Sequence, residues 1–194
     1  MSDAKETTRE RILRQVVSQL VASGLAGTGI RELAAAAGVS HRTLLYHFGS
    51  RDALILEALR ALRDRQVDIV VDTQANPESR PDPFDLARGI WKTLSADESA
   101  DWFKLFFEAY ATALRHPDHY RDFLDGVVHQ WVDLTQTIFE RDRPALAADD
   151  SATLLIATLR GLHLDLLATG DRDRVERALE TFLTRLGLPQ PATG

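Results

Sequence analysis

Thr28-Gly-Ile-Arg-Glu-Leu-Ala-Ala-Ala-Ala-Gly-Val-Ser-His-Arg-Thr-Leu-Leu-Tyr-His-Phe-Gly-Ser-Arg51 reads as two short helices joined by a tight turn. Ile30, Leu33, Ala34 and Ala37 recur at helical spacing and mark one buried face. Gly38 can end that helix in the left-handed conformation at little steric cost. Val39 can plug the angle between the helices, and Ser40 is a natural N-cap for the second. That helix then carries His41, Arg42, Thr43, Tyr46 and His47, a crowd of hydrogen-bonding and cationic groups. A helix, a glycine turn and a polar, basic second helix make a shape that a DNA major groove admits.

The segment from Ile12 to Leu54 resembles the N-terminal domain of TetR-family (tetracycline-repressor-like) transcription regulators. The likeness runs without gaps through Ile12-Leu13, Gly24, Thr28, Arg31, Ala34, Ala37-Gly38-Val39-Ser40, Thr43-Leu44, Phe48, Ser50 and Leu54. Ile30, Leu33 and Arg51 are conservative variants of the Val, Ile and Lys common in the family. Leu45 stands where the family usually places a Tyr that reaches a phosphate, and Arg42 where a Gly is common. Beyond this first quarter of the chain the resemblance is one of helical layout only. It implies an all-α fold: an N-terminal three-helix DNA-binding domain with a helix-turn-helix, then a C-terminal helical domain for ligand binding and dimerisation.

Position along the motif assigns roles. Ser40, His41, Arg42 and Thr43 occupy the first turn of the recognition helix, the part that meets base edges. Arg42 can pair bidentately with guanine, worth roughly 1–3 kcal/mol of discrimination. Tyr46, His47 and Arg51 come later and resemble phosphate-positioning residues. Thr28 and Arg31 would clamp a phosphate from the other side.

Helical periodicity also governs the flanks. A first helix is expected over about Thr7 to Ser23, and Ser50 is expected to cap a fourth helix that stops before Asn76-Pro77. The proline-rich segment from Thr73 to Pro83 reads as a loop. Further helices are expected over Phe84 to Leu94 and through Phe103 to Leu114, with an acidic-aromatic piece from Ala96 to Trp102 between them. Pro117 is expected at the start of the next helix, about 118–140, followed by helices at about 150–168 and 172–187, with Gly170-Asp171 separating the last pair. The division is residues 1–50 for DNA, 51–188 for effector and dimer, and 189–194 as a flexible tail. The fourth helix joins head to body and is the natural lever.

The net charge of −6 argues against a nucleic-acid binder until the chain is split. Residues 1–51 hold seven Lys/Arg against four Asp/Glu, and the remainder holds sixteen against twenty-five. A basic head on an acidic body presents one end to DNA. Cysteine is absent, the N-terminus is polar and carries no secretory signal, and no apolar run approaches membrane-spanning length, so the expectation is a cytoplasmic protein without a membrane partner. The body offers no nucleophile elbow, dinucleotide fingerprint or phosphate loop, and the His116/His119 pair is interrupted by Pro-Asp. No enzyme activity, cofactor or metal is therefore expected.

Two late helices carry seams at alternating spacings of three and four. One runs Tyr120, Leu124, Val127, Trp131, Leu134, Ile138, and the other Ala152, Leu155, Leu159, Leu162, Leu166. Each has further apolar residues, so each has two surfaces to bury. The resemblance implies that two such helices per protomer form a four-helix homodimer interface. Phe103, Phe106, Phe107, Tyr110, Trp131 and His163 supply apolar bulk with few polar groups, the composition of a small-molecule pocket. The resulting expectation is a repressor released from palindromic, double-stranded operator DNA by a hydrophobic effector. Leu45 and the acidic total leave open an alternative: a helical ligand-binding or scaffold protein of the same fold that no longer reads DNA.

Overall fold

The computed structural model describes residues 6–26, 28–75, 78, 80–147 and 150–187. The tail 189–194, Gly27 and Asn76-Pro77 lie outside them. Among the described residues there are ten α-helices and no strand. They are α1 (Thr8–Ser23), α2 (Ile30–Ala36), α3 (His41–Phe48), α4 (Arg51–Ala75), α5 (Pro83–Leu94), α6 (Ala100–Arg115), α7 (Arg121–Asp142), α8 (Pro144–Ala147), α9 (Ser151–Thr169) and α10 (Arg172–Leu186).

Local chemistry explains most of these boundaries. Thr7 and Glu10 cap α1 reciprocally, each side chain accepting from the other's backbone N–H. Ser50 Oγ accepts from Ala53 N–H at 3.1 Å at the start of α4. Asp82 accepts from Phe84 N–H at 2.9 Å, with Pro83 in the first turn of α5, so the loop ends one residue earlier than expected. Gly170 takes the left-handed conformation after α9, and Asp171 caps α10 through Arg174 N–H.

The chain divides into two compact units that do not follow chain order. The first takes Met1–Val71 and Asp101–Val127; the second takes Asp72–Ala100 and Val128–Gly194. The expected boundary at residue 50 therefore falls inside the first unit. There α1 packs on α2 and α2 on α3, and Ile12, Val16, Leu20, Leu33 and Leu44 are fully buried. Burying one such side chain stabilises by about 1.5–3 kcal/mol. In the second unit Phe84, Trp91, Phe139, Leu155, Val175, Leu179 and Leu183 belong to one buried cluster.

Four expectations are corrected. Pro117 does not open a helix: His119 N–H and Tyr120 N–H both donate to His116 O in a turn, and α7 starts only at Arg121. The piece from Ala96 to Trp102 is split between a 3-10 turn, Asp97–Ser99, and the first turn of α6, which takes Trp102. The four-residue α8 was not foreseen; Pro144 opens it and Leu146 is buried. Finally, α9 with 19 residues is long and apolar enough, by length and composition, to cross a membrane, and 17% of its apolar 18-residue window is buried. Arg160 and Asp165 interrupt its apolar run in the sequence, but the surrounding leucines outweigh them. Asp165 accepts from both terminal nitrogens of Arg174 on α10, at 2.6 and 2.8 Å.

Candidate nucleic-acid interface

The first unit contains the whole helix-turn-helix. Gly29 N–H donates to Glu32 at 2.6 Å, which starts α2. At its end Gly38 has φ +64°. Gly38 N–H reaches Ala35 O and Val39 N–H reaches Ala34 O, each at 3.0 Å, so the glycine turn satisfies two helix-end carbonyls. Arg11 from α1 donates to Ala37 O at 3.1 Å, placing a cation at the negative end of α2. Ser40 Oγ then accepts from Thr43 N–H at 3.0 Å and lies 2.8 Å from Thr43 Oγ1, capping α3.

Burial decides which face of α3 points outward. Leu44 and Phe48 are buried, and the Arg9 guanidinium sits 4.8 Å above the Phe48 ring. Ser40, His41, Arg42 and Tyr46 are exposed, Tyr46 at 85%. Thr43, Leu45 and His47 are half-buried. Arg31 on α2 and Arg42 on α3 are exposed and make no ion pair with another described residue. The two helices together present donors, acceptors and two unneutralised arginines, with α3 narrow enough for a major groove.

Two residues of the same set, buried Thr28 and half-buried Arg51, are bonded to the chain's own backbone. Thr28 is 4% exposed, and its hydroxyl donates to Gly24 O at 2.9 Å. Arg51 donates through Nε to Thr28 O at 2.9 Å and through Nη2 to Leu25 O at 3.1 Å. Both therefore hold the turn between α1 and α2. Sequence reasoning missed this use of Arg51, the Arg11 contact and a carboxylate from α6: Glu108 accepts from Leu25 N–H and Ala26 N–H at 2.8 and 2.6 Å. No sequence signal announces them, because each partner is a backbone group distant in the chain.

Residues 12–58 match the family model described as bacterial regulatory proteins, tetR family. A member of that family from Streptomyces coelicolor A3 is 30% identical, covers 94% of this chain and 99% of its own, and superposes with a TM-score of 0.69. The chain belongs to the TetR family. As a TetR-family protein it is a DNA-binding transcriptional regulator. The multidrug binding protein EbrR complexed with ethidium is 28% identical over 95% of this chain and 99% of its own, with a TM-score of 0.72. A transcriptional regulator from Rhodococcus sp. Rha1, 22% identical over 93% of this chain and 96% of its own, shares the fold with a TM-score of 0.75. Among curated proteins none matches.

The remaining TetR-family expectations divide between the units. In the first, α6 carries Trp102 and Phe106 stacked with centroids 5.6 Å apart, and Phe106 and Tyr110 at 5.9 Å. Phe106, Phe107 and Tyr110 are half-buried, whereas Phe103 is buried. Trp131 and His163 belong to the second unit. Trp131 is half-buried; His163 is 4% exposed and packs on Trp91 at 4.5 Å. His163 Nδ1 donates to Leu159 O at 3.2 Å. Burial holds its pKa below the ordinary histidine value, opposed by backbone hydrogen bonds to Leu94 and Leu159, so the ring is neutral at neutral pH. A groove of about 790 Å³ between α5 and α10, lined among others by Trp91, Arg88, Arg172 and Glu180, was not foreseen.

Of the two seams, Tyr120, Val127 and Leu155 are buried within the chain, at 8%, 1% and 5% exposure. Leu159, Leu162 and Leu166 are partly buried and pack against the second unit's own core. Leu124, Trp131 and Leu134 are half-buried. The exposed stripe of α9 is a different one: Leu154, Ala157, Gly161, Leu164 and Ala168, again at spacings of three and four.

Proposed function

We propose that the chain is a cytoplasmic, homodimeric repressor that holds a palindromic operator and leaves it when a small hydrophobic effector occupies the helical body. The observation that carries the DNA half is the exposed cationic face of α3, with Arg42 and Tyr46 outward and Leu44 and Phe48 anchored beneath. Arg42 reads a base edge beside Ser40, His41 and Thr43, while Arg31, Tyr46 and His47 position phosphates. Thr28 and Arg51 hold the turn that presents them. Two such helices must lie about 34–36 Å apart to enter successive major grooves, which a two-fold dimer on a palindrome supplies.

The exposed leucines and small residues of α9 support dimerisation, because a long apolar stripe left in water favours association. The aromatic row of α6 supports a planar aromatic effector touching Phe103, Phe106, Phe107 and Tyr110, and EbrR, complexed with ethidium, is a relative. The effector has to favour a dimer whose recognition helices miss the groove spacing, since equal affinity for both states shifts nothing. The test is a mobility shift with duplexes the protein selects from a random pool, measured against salt and against added ethidium. Salt-dependent binding to a palindrome supports the reading. Failure to enrich any duplex overturns it in favour of a ligand-binding protein that no longer reads DNA. Selected binding indifferent to ethidium, with no change in tryptophan fluorescence, removes the planar aromatic effector.

A further inference from the structure

The turn between α1 and α2 is held by one anion and one cation from distant helices. Glu108, on α6, accepts Leu25 N–H at Oε2 and Ala26 N–H at Oε1, 2.8 and 2.6 Å away. Arg51, at the start of α4, donates to Leu25 O and Thr28 O. Gly24 makes the approach possible. Its φ is +75°, and a Cβ there would stand 2.8 Å from Glu108 Oε2. The turn runs directly into Thr28 and α2, whose far end is the glycine turn to α3. The helix that carries Glu108 also carries the aromatic row Trp102, Phe106 and Tyr110, the first two stacked.

We propose that Glu108 is the positioning residue through which α6 sets the placement of the helix-turn-helix. Two charge-assisted bonds from one carboxylate to successive amides fix direction as well as distance. A shift or rotation of α6 therefore pulls on Leu25 and Ala26, and through the short turn on α2 and α3. Elsewhere in the unit α6 contributes apolar packing, as with Leu105, Ala109 and Ala113, which tolerates sliding better than a bidentate polar contact does. The inference rests on the DNA-binding reading for its consequence, but the clamp itself can be tested without DNA.

The sign of one substitution separates positioning from plain electrostatics. Glu108→Gln removes a negative charge from the unit that faces DNA, so electrostatics alone would tighten binding. Positioning requires the opposite. Glu108→Gln in the full chain should weaken binding to a selected duplex about tenfold, the order expected for losing a charge-assisted hydrogen bond. Glu108→Ala should weaken it further, with the salt slope unchanged because no phosphate contact is removed. Asp101→Asn, which neutralises an exposed carboxylate on the same helix, should not weaken it. Without DNA, Glu108→Ala should speed amide exchange at Leu25 and Ala26 and move the amide resonances of α2 and α3. Unchanged or tighter DNA binding by Glu108→Gln overturns the proposal. So do unmoved α2 and α3 resonances, whether or not any duplex is ever selected. Failure to select a duplex with moved resonances leaves the clamp standing and overturns only the DNA reading.

Discussion

α3 in the first unit and α9 in the second each bury one face and leave another in water, and the exposed faces are chemical opposites. Outside Leu44 and Phe48, α3 shows His41, Arg42 and Tyr46. Outside Ala152 and Leu155, α9 shows Leu154, Ala157, Gly161, Leu164 and Ala168. The buried faces are interchangeable in kind, being apolar residues at helical spacing. What distinguishes the surface proposed for DNA from the one proposed for a partner chain is the residue set that folding has no use for. A cationic face is content in water until a polyanion replaces the solvent, whereas an apolar stripe gains by leaving water altogether.

The sharpest way to break this comparison is to place the same charge on a buried and on an exposed apolar position. Val127→Glu puts a carboxylate where 1% of the side chain is exposed, and should cost several kcal/mol of stability and lower the thermal midpoint severely. Leu154→Glu with Leu164→Glu, at 53% and 52% exposure, should leave the protomer folded but split the dimer by light scattering, with operator affinity collapsing accordingly. A dimer that survives the double substitution would move the interface off α9.

On the polar side the expected effect is smaller and local. Arg42→Ala should relax base preference at one operator position by roughly 1–3 kcal/mol. Its thermal midpoint should stay unchanged, since the side chain is exposed. Selection against a randomised site would detect it, and an unaltered preference would take Arg42 out of base readout.

The smallest effect concerns α9's inner face. His163 has its folded-state pKa depressed mainly by burial, so at acid pH the unfolded chain binds a proton that the folded chain resists. Its contribution is fully present above the unfolded value, ~6.5, and is lost as pH falls below it. The urea midpoint should therefore drop between pH 7.5 and 5, and His163→Leu should shrink that drop. An identical pH dependence in the variant would place the linkage elsewhere.

Most helix ends were legible in the sequence because their causes are local. Thr7 with Glu10, Ser40 with Thr43 and Gly170 with Asp171 each act within a few residues of themselves. Pro117 misled for the same reason: proline suits a first helical turn, but His116 O closes a turn first. The seams are legible only in part. Spacing of three and four reports that a helix packs, not against whom, so Val127 and Leu155 carried the same pattern as Leu154 and Leu164 while serving the chain's own interior.

The sequence by itself determined the helical fold, the helix-turn-helix between Thr28 and Arg51 and the residues that crowd onto α3, since these depend on backbone propensity, capping and periodicity over short stretches. Only the tertiary structure decided that Thr28 and Arg51 bond the chain's own backbone, that Glu108 grips the amides of Leu25 and Ala26, and which apolar stripe of α9 remains outside. Those outcomes depend on which distant groups meet. A carboxylate or a leucine looks the same in the chain whether its partner is water, a backbone amide or another protein.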